Sequence, residues 1–250
     1  MLPKLISSLQ HPLIKHLIKL RQKCSYRTET QSLLIIGKKI ILERRSLKNL
    51  LIAEGETPPP ALSFDQVYRV PKYLFKKISG VNSPESFAAE VPLPLPSSLN
   101  HKQKILALDG VQDPGNVGTL IRTGLALGFD GLFLVKGSAD LFNEKVLRAA
   151  KSAVFDIPYQ IGSQTSLWSL INSGGFSPYA GDLKGKDPSQ VSFSRPLVLI
   201  LSNEGRGPCK ETKEKATLVS IDMLQKVESL NVAIAGGILM YQITRSTNDE

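Results

Sequence analysis

Residues 105–135 read ILALDGVQDPGNVGTLIRTGLALGFDGLFLV, and they set the architecture of the second half of the chain. An apolar run ends at Asp109, a turn rich in Gly, Pro and Asn follows, and apolar residues then recur at helical spacing before a second apolar run. Continuous apolar runs are typical of buried parallel strands, and their alternation with helices predicts a doubly wound α/β sheet. Asn116 is the predicted N-cap of the helix, and Arg122 lies on its flank.

The same alternation continues to the end of the chain and predicts one parallel-sheet domain. Strands are expected at residues 105–108, 132–135, 197–201 and 217–221, and helices at residues 116–127, 143–153, 167–172 and 230–244. The glycines of this region match neither the dinucleotide fingerprint G-x-G-x-x-G nor the phosphate loop G-x-x-x-x-G-K-[ST]. Binding of NAD in the manner of a Rossmann fold is therefore unsupported.

The first part of the chain predicts a smaller α/β domain, residues 1–92. An amphipathic helix at residues 11–24 opens it. Strands are expected at residues 33–36, 50–53, 67–70 and 87–91, and helices at residues 38–47 and 72–79. Residues 93–103 lie in a stretch rich in Pro and Ser and are the predicted linker. The parallel-sheet domain then occupies residues 104–250.

Positive charge is concentrated in the first part of the chain. The 250 residues carry a net charge of +9, and residues 1–100 hold 15 Lys and Arg against 7 Asp and Glu. Such an uneven distribution indicates a polyanionic partner, of which nucleic acid is the favoured one. The alternative is that these cations are only the solvated faces of amphipathic helices. The cations concerned are Lys38, Lys39, Arg44, Arg45, Lys72, Lys76 and Lys77.

Cysteine usage and hydropathy exclude several classes of protein. Cys24 and Cys209 are too far apart for ligand spacing, so neither a disulfide framework nor a cysteine-rich zinc site is expected, and no metal is predicted. The longest apolar stretch, residues 232–240, is shorter than the roughly 18 residues of a membrane span. The amino end lacks a signal-peptide block. A cytoplasmic protein without a membrane partner is therefore expected.

Two further segments carry polar residues after predicted strands. Residues 196–208 read PLVLILSNEGRGP, and residues 219–245 read VSIDMLQKVESLNVAIAGGILMYQITR. Loops at the carboxyl ends of parallel strands are where α/β proteins bind ligands. A helix cap explains Ser229 or Asn231 but not both. Gly236 and Gly237 would each cost a helix roughly 1 kcal/mol relative to Ala, which indicates close packing against a helix of this chain or of a second copy.

The segments DPGNVGTLIRT, LVLILSNEGRG and VSIDMLQKVESLNVAIAGGIL, in this order, resemble the three motifs of the SpoU (TrmH-like) family of RNA 2′-O-ribose methyltransferases. The first domain resembles, more weakly, a substrate-binding domain that many members carry. The resemblance implies a SPOUT-like parallel domain with a deep trefoil knot, preceded by a small RNA-binding α/β domain. It further implies S-adenosylmethionine as methyl donor and a homodimer formed through the carboxyl-terminal domain.

The resemblance also assigns site residues, which are carried over motif by motif. The implied donor-binding positions are Ser202, Gly205, Ile221, Met223, Leu230 and Asn231. The implied catalytic positions are Asn116, Arg122, Glu204, Ser229 and Asn231. Three positions depart from the usual motifs: Ser202 replaces a glycine, Asp222 replaces a proline, and AAKSA after Arg148 replaces a Ser-x-Gly pattern.

These roles agree with the chemistry of methyl transfer to a ribose. A ribose hydroxyl is a poor nucleophile that must be aligned with the methyl group and must lose its proton. Because free guanidinium stays protonated, Arg122 is expected to hold RNA phosphate and the developing alkoxide rather than to act alone as base. Ser229 and Asn231 are expected to orient the hydroxyl, and Glu204 to fix the arginine or its loop.

The sequence thus predicts methyl transfer from S-adenosylmethionine to a ribose 2′-hydroxyl of structured RNA, with ribosomal RNA favoured over transfer RNA. An RNA-binding or ribosome-assembly protein without catalytic activity is the alternative from another class. The five polar motif residues argue against that alternative, because binding alone would not need all of them. A small-molecule oxidoreductase is disfavoured by the missing dinucleotide glycines.

Overall fold

The structure is a computed structural model that describes residues 3–60, 62–203, 205–224 and 228–246. The chain divides into two compact units. One runs to Pro94 and includes Phe142–Glu144; the other holds Leu95–Leu141 and the described residues from Lys145 onward. Leu99, in the segment expected to be a linker, is fully buried in the core of the second unit.

The first unit is an α/β sandwich. Its described strands form a five-stranded sheet in the order β1-β4-β3-β5-β2, in which β2 and β5 pair antiparallel and β3 and β4 pair parallel. Its elements are β1 (Lys4–Leu5), α1 (Pro12–Gln22), α2 (Cys24–Thr30), β2 (Ser32–Ile36), α3 (Lys38–Leu42), β3 (Leu47–Ala53), β4 (Phe64–Val70), α4 (Lys72–Ser79) and β5 (Phe87–Pro92).

Helices α1 and α4 bury their apolar stripes against one face of this sheet. Ile14, Leu17 and Leu20 of α1 meet Phe75 and Ile78 of α4 in one core cluster. The helix predicted at residues 38–47 ends earlier, at Leu42. The stretch that follows begins β3 at Leu47, three residues before the strand was expected.

A polar network crosses the edge of this core. Glu90 on β5 is 5% exposed, accepts a hydrogen bond from Asn49 Nδ2 at 2.6 Å and lies 3.2 Å from His16 Nε2. The Tyr26 hydroxyl lies 2.9 Å from the other ring nitrogen of His16. Burial raises the pKa of the Glu90 carboxyl, but hydrogen bonds from Ser32, Asn49 and His16 together outweigh burial and leave that pKa below its ordinary value.

The second unit is built on a wholly parallel sheet, and its described strands are ordered β11-β9-β10-β6-β7-β8. Its elements are β6 (Lys104–Asp109), α5 (Pro114–Ala126), β7 (Gly131–Val135), α6 (Glu144–Ala150), α7 (Ala153–Asp156), β8 (Tyr159–Gly162), α8 (Gln164–Gly174), β9 (Ser177–Lys186), a short 3-10 turn (Pro188–Gln190), β10 (Leu197–Ser202), α9 (Lys210–Lys215), β11 (Thr217–Val219) and α10 (Val232–Ser246). The predicted α/β fold with a parallel sheet is confirmed. The trefoil knot stays a prediction.

Helices cover both faces of the parallel sheet, as buried parallel strands require. Residues of α8 form a core with Val198 and Ile200 of β10 on one face. On the other face, a Cβ added at Gly236 of α10 would lie 2.4 Å from Leu120 of α5 and 2.5 Å from Leu201 of β10. Gly236 therefore serves close packing within the chain, which is one of the two alternatives left open by the sequence.

Several element boundaries differ from the sequence prediction. Asn116 is not the N-cap of α5: the Asp113 carboxylate caps the helix by accepting a hydrogen bond from Asn116 N at 2.8 Å, because Pro114 occupies the first helical position. The helix expected at residues 143–153 is divided into α6 and α7, with Lys151 at a φ of 55° between them. Strand β11 ends at Val219 rather than at residue 221. Strands β8 and β9 were not predicted at all.

Candidate functional site

A cavity of about 340 Å³ opens at the carboxyl ends of β9, β10 and β11. Its walls come mainly from the loop after β10, from the loop before α10 and from residues 181–184 of β9. Leu201, Val219 and Leu239 supply apolar surface, and Asp182 and Lys213 supply charge. A largely apolar pocket with a few convergent polar groups is typical of a small-molecule site in an α/β protein.

Asn203 organises the loop after β10. Its amide Oδ1 accepts from Gly205 N at 2.9 Å, and its carbonyl accepts from Gly207 N at 2.8 Å. Its Nδ2 donates to the Gly110 carbonyl at 3.2 Å, which ties this loop to the loop after β6. Gly207 has a φ of 64°, a backbone conformation that favours glycine. The two loops are therefore held together at the carboxyl edge of the sheet.

The loop before α10 is anchored at Ser220. Ser220 N donates to the Lys186 carbonyl and Ser220 Oγ to the Gly185 carbonyl, each at 2.9 Å. Beyond this anchor, Ile221, Met223 and Leu230 line the cavity. Two hydrogen bonds to the end of β9 thus fix the start of a loop whose apolar side chains close one side of the pocket.

Asn116 and Asn231 meet although 115 residues separate them. Asn231 Nδ2 donates to Asn116 Oδ1 at 3.0 Å. Asn231 Oδ1 accepts from Ala233 N at 2.9 Å and from Ile234 N at 3.3 Å, so Asn231 and not Ser229 caps α10. The pair joins the start of α5 to the start of α10, next to the cavity residues Leu230 and Val232.

The structure gathers most, but not all, of the residues that the sequence singled out. The cavity-lining residues among them are Ser202, Gly205, Ile221, Met223, Ser229 and Leu230. Asn116 and Asn231 are paired with each other instead, and Asn231 is not part of the cavity lining. Arg122 is exposed on α5 and also lies outside that lining. Glu204 lies outside the described residues.

Ser202 and Asp109 are the last residues of β10 and β6, and they lie opposite each other in the parallel register. Ser202 is 8% exposed, and its hydroxyl has no hydrogen-bond partner among the described residues. Burial raises the pKa of the Asp109 carboxyl above its ordinary value. A buried hydroxyl without a hydrogen-bond partner destabilises the fold. The Ser202 hydroxyl is such a group, and it lies beside the cavity.

Sequence reasoning missed several polar residues of this site, among them Asn203, Asp182 and Lys213. Asp182 Oδ2 lies 3.3 Å from Lys213 Nζ, and both residues line the cavity. Asn203 stands between Ser202 and Glu204 in a segment that was already singled out, so its position was available. Asp182 had no signal, because it lies within a strand, β9, that the apolar pattern did not reveal. Within the described ranges, no three His, Cys, Asp or Glu side chains are grouped to hold a metal ion.

Comparisons with known proteins give a consistent result. Residues 103–241 match the model of the SpoU rRNA Methylase family. The chain is 33% identical to the 23S rRNA (guanosine(2553)-2'-O)-methyltransferase RlmP of Bacillus subtilis over 96% of this chain and 99% of that one. It is 33% identical to the 23S rRNA (guanosine-2'-O-)-methyltransferase RlmB of Ralstonia nicotianae over 56% of this chain.

Solved structures resemble the chain over nearly its whole length. An AdoMet-bound rRNA methyltransferase from Sinorhizobium meliloti superposes with a TM-score of 0.85 at 29% identity, covering 97% of each chain. The similarity therefore includes both units and not only the parallel-sheet unit. As for membranes, the helices in the described part of the chain include none that is long and apolar enough to cross one.

Proposed function

Because the chain belongs to the SpoU rRNA methylase family, which residues 103–241 match, we propose that it transfers a methyl group from S-adenosylmethionine to a ribose 2′-hydroxyl of ribosomal RNA. The observation that carries the proposal is the cavity at the carboxyl edge of the sheet with the Asn116–Asn231 pair beside it. The cavity can hold a small donor, and the polar pair beside it can align a hydroxyl of a large acceptor that stays outside the cavity. A methyl transfer from one to the other needs both.

The residues of the cavity fit the donor. Leu201, Val219 and Leu230 offer apolar surface to a purine, and the loop around Gly205 allows backbone to approach closely. The unsatisfied Ser202 hydroxyl gains a partner if a polar ligand group lies against it. The donor would supply an electrophilic methyl group on a sulfonium.

The chain's own polar residues would act on the RNA side of the cavity. Ser229 lines the cavity, and Asn231 follows it by two residues, so both can orient a ribose hydroxyl at the rim. Asn116 holds the Asn231 amide in place through its hydrogen bond of 3.0 Å. Glu204 keeps its proposed role in fixing the loop, although it lies outside the described residues.

Arg122 would serve the RNA and not the donor. Its side chain is exposed on α5 and outside the cavity lining, so a phosphate or a developing alkoxide can reach it from solvent. Guanidinium stays protonated at neutral pH and binds anionic oxygens strongly. The arginine would therefore stabilise negative charge while the hydroxyl proton leaves.

The first unit would hold the RNA. Lys38, Lys39 and Arg45 are exposed, as are Lys72, Lys76 and Lys77 along α4. Clustered exposed cations bind nucleic acid through its phosphates and without sequence preference. The uneven charge of the sequence supports this assignment. A cytoplasmic location is also proposed, because a relative from Bacillus subtilis is named as a 23S rRNA methyltransferase.

Two copies would pair through α10. Ile234, Ile238 and Tyr241 recur at spacings of four and three residues on one side of that helix and are 58%, 37% and 50% exposed. The opposite side of α10 is already packed on α5 and β10. An apolar stripe open to water on an otherwise packed helix favours a second copy of the same surface.

The test is methyl transfer to RNA from a strain that lacks the protein. Purified protein with tritiated S-adenosylmethionine should label ribosomal RNA, and the label should survive alkaline hydrolysis as a dinucleotide, because a 2′-O-methyl group blocks cleavage. Label confined to transfer RNA would move the substrate to that class. Donor binding without label in any RNA would favour the RNA-binding alternative.

A further inference from the structure

Strand β9 leaves its ladder with β11 at the cavity. Leu218 pairs with Ala180, yet the next residue, Val219, pairs with Lys186. Residues 181–185 of β9 therefore form an excursion, and its first four residues line the cavity. This segment belongs to none of the three sequence motifs, so the resemblance assigned it no role.

Asp182 is the polar centre of this excursion. The side chain of Asp182 is 8% exposed, whereas that of its ion-pair partner Lys213 is 47% exposed. Asp182 Oδ1 accepts from Lys184 N at 2.8 Å, and Oδ2 lies 3.3 Å from Lys213 Nζ. A carboxylate has two acceptor sites on each oxygen, so one site on each oxygen stays open after these contacts.

The charge of Asp182 is already compensated. An ammonium at ion-pair distance neutralises the carboxylate, so this site does not need a cation from a ligand. The two open acceptor sites instead suit neutral O–H donors, and a pair of adjacent hydroxyls would fill one site on each oxygen. Such a pair of hydroxyls is present in the ribose of a nucleoside, and Val219 and Leu230 of the same cavity offer apolar surface to its base.

We propose that Asp182 accepts hydrogen bonds from the two ribose hydroxyls of the methyl donor and that Lys213 holds it in position for them. The inference rests on the proposed function, since it assumes that the donor occupies this cavity. Asp182 is thereby a specificity residue that distinguishes a ribonucleoside from its deoxy analogues. A site built to pair with hydroxyls discriminates strongly against ligands that lack them, because its buried acceptors are then left unpaired.

The experiment is calorimetric binding of two neutral ligands, 5′-methylthioadenosine and its 2′,3′-dideoxy analogue. Neither carries the amino-acid end or the sulfonium, so charge on the ligand does not enter. The wild type should bind the ribonucleoside about tenfold or more tightly than the dideoxy analogue. In Asp182→Asn that ratio should fall towards one, and the matched change Asp65→Asn, on an exposed strand residue of the first unit, should leave it unchanged.

The ratio is measured within one protein, so a partly unfolded variant does not distort it. An unchanged ratio in Asp182→Asn would mean that the aspartate only ties β9 to α9, and the inference would be wrong. S-adenosylmethionine is measured as a third ligand. If Asp182→Asn weakens the binding of S-adenosylmethionine but not that of 5′-methylthioadenosine, the inference is also wrong, because the carboxylate would then act on ligand charge. Failure of the wild type to bind any of these ligands would instead reject the proposed function.

Discussion

The Asn231 amide acts at both of its ends. Its oxygen caps α10, and its nitrogen donates to Asn116. Replacement by alanine removes both contacts, whereas aspartate keeps the capping oxygen and loses the donor. Comparing the two variants therefore separates the capping of α10 from the hydrogen bond between Asn231 and Asn116.

We expect Asn231→Ala to lower the free energy of unfolding by about 1 kcal/mol, the usual worth of an N-cap, and Asn231→Asp to lower it less. Both should lose most methyl transfer, because both break the pair with Asn116. Urea denaturation and transfer of labelled methyl groups measure the two effects. Wild-type turnover in Asn231→Asp would show that the pair is dispensable.

Arg122 offers the complementary case of a side chain outside the cavity. We expect Arg122→Ala to abolish methyl transfer and to leave donor affinity within about twofold in calorimetry, since the residue does not line the cavity. Its stability should change by less than about 0.5 kcal/mol because the side chain is exposed. Arg122→Lys is the control that keeps the charge but loses the planar fork. Normal turnover in the alanine variant would reject the assignment.

Helix α10 carries adjacent glycines with different surroundings. A Cβ at Gly236 would lie 2.4 Å from Leu120 and 2.5 Å from Leu201, whereas a Cβ at Gly237 would lie 3.7 Å from Thr123. We expect Gly236→Ala to lower the free energy of unfolding by about 1–3 kcal/mol through overpacking. Gly237→Ala is the matched control and should be neutral or stabilising by up to about 1 kcal/mol through helix propensity. Equal effects in urea denaturation would contradict the packing argument.

Strand β5 brings a pH dependence through Glu90. Its pKa in the folded state is below the ordinary value of 4.5, so its hydrogen bonds stabilise the fold above that pH, and the benefit is lost as pH falls through the folded pKa. We expect Glu90→Gln to be less stable by about 2 kcal/mol near neutral pH. The difference should narrow below pH 4.5 in denaturation curves recorded at a series of pH values. A difference independent of pH would contradict the assignment.

Among the helices and strands, the sequence predicts those whose own residues show a clear apolar pattern. The β6–α5 pair was predictable because residues 105–127 combine a pure apolar run with a helical period. Strand β9 was not, because Pro178, Gly181 and Gly185 interrupt the apolar pattern that marks a buried strand. The cap of α5 was misplaced by three residues, since Asp113 and Asn116 are both good caps and only Pro114 distinguishes them.

Across the whole chain, the sequence could not show which distant residues lie close together in the fold. The motifs singled out candidate polar residues, but the Asn116–Asn231 contact and the Asp182–Lys213 pair join segments far apart along the chain. Such contacts follow from the order of strands in the sheet, which places the ends of β9, β10 and β11 together. Composition did indicate a nucleic-acid partner, because charge acts at long range without needing a fixed geometry.

The basic first unit gives a prediction for the whole molecule. We expect the variant with Lys72→Gln, Lys76→Gln and Lys77→Gln to bind RNA more weakly and to reduce the slope of log affinity against log salt by up to about 2 to 3. Filter binding at several salt concentrations measures the slope. A triple change of Lys186, Lys210 and Lys215 to Gln in the other unit, at exposed lysines outside the cavity lining, is the comparison for net charge. An equal slope in wild type and the α4 variant would exclude these lysines from the RNA contact.

The outer side of α10 has one more consequence. Ile234, Ile238 and Tyr241 lie on α10, and Asn231, which meets Asn116, caps the same helix. If two copies pair as proposed, contacts on the exposed side of α10 would also hold Asn231 in place beside the cavity. Activity per molecule would then rise with protein concentration, because a larger fraction of the chains would be paired.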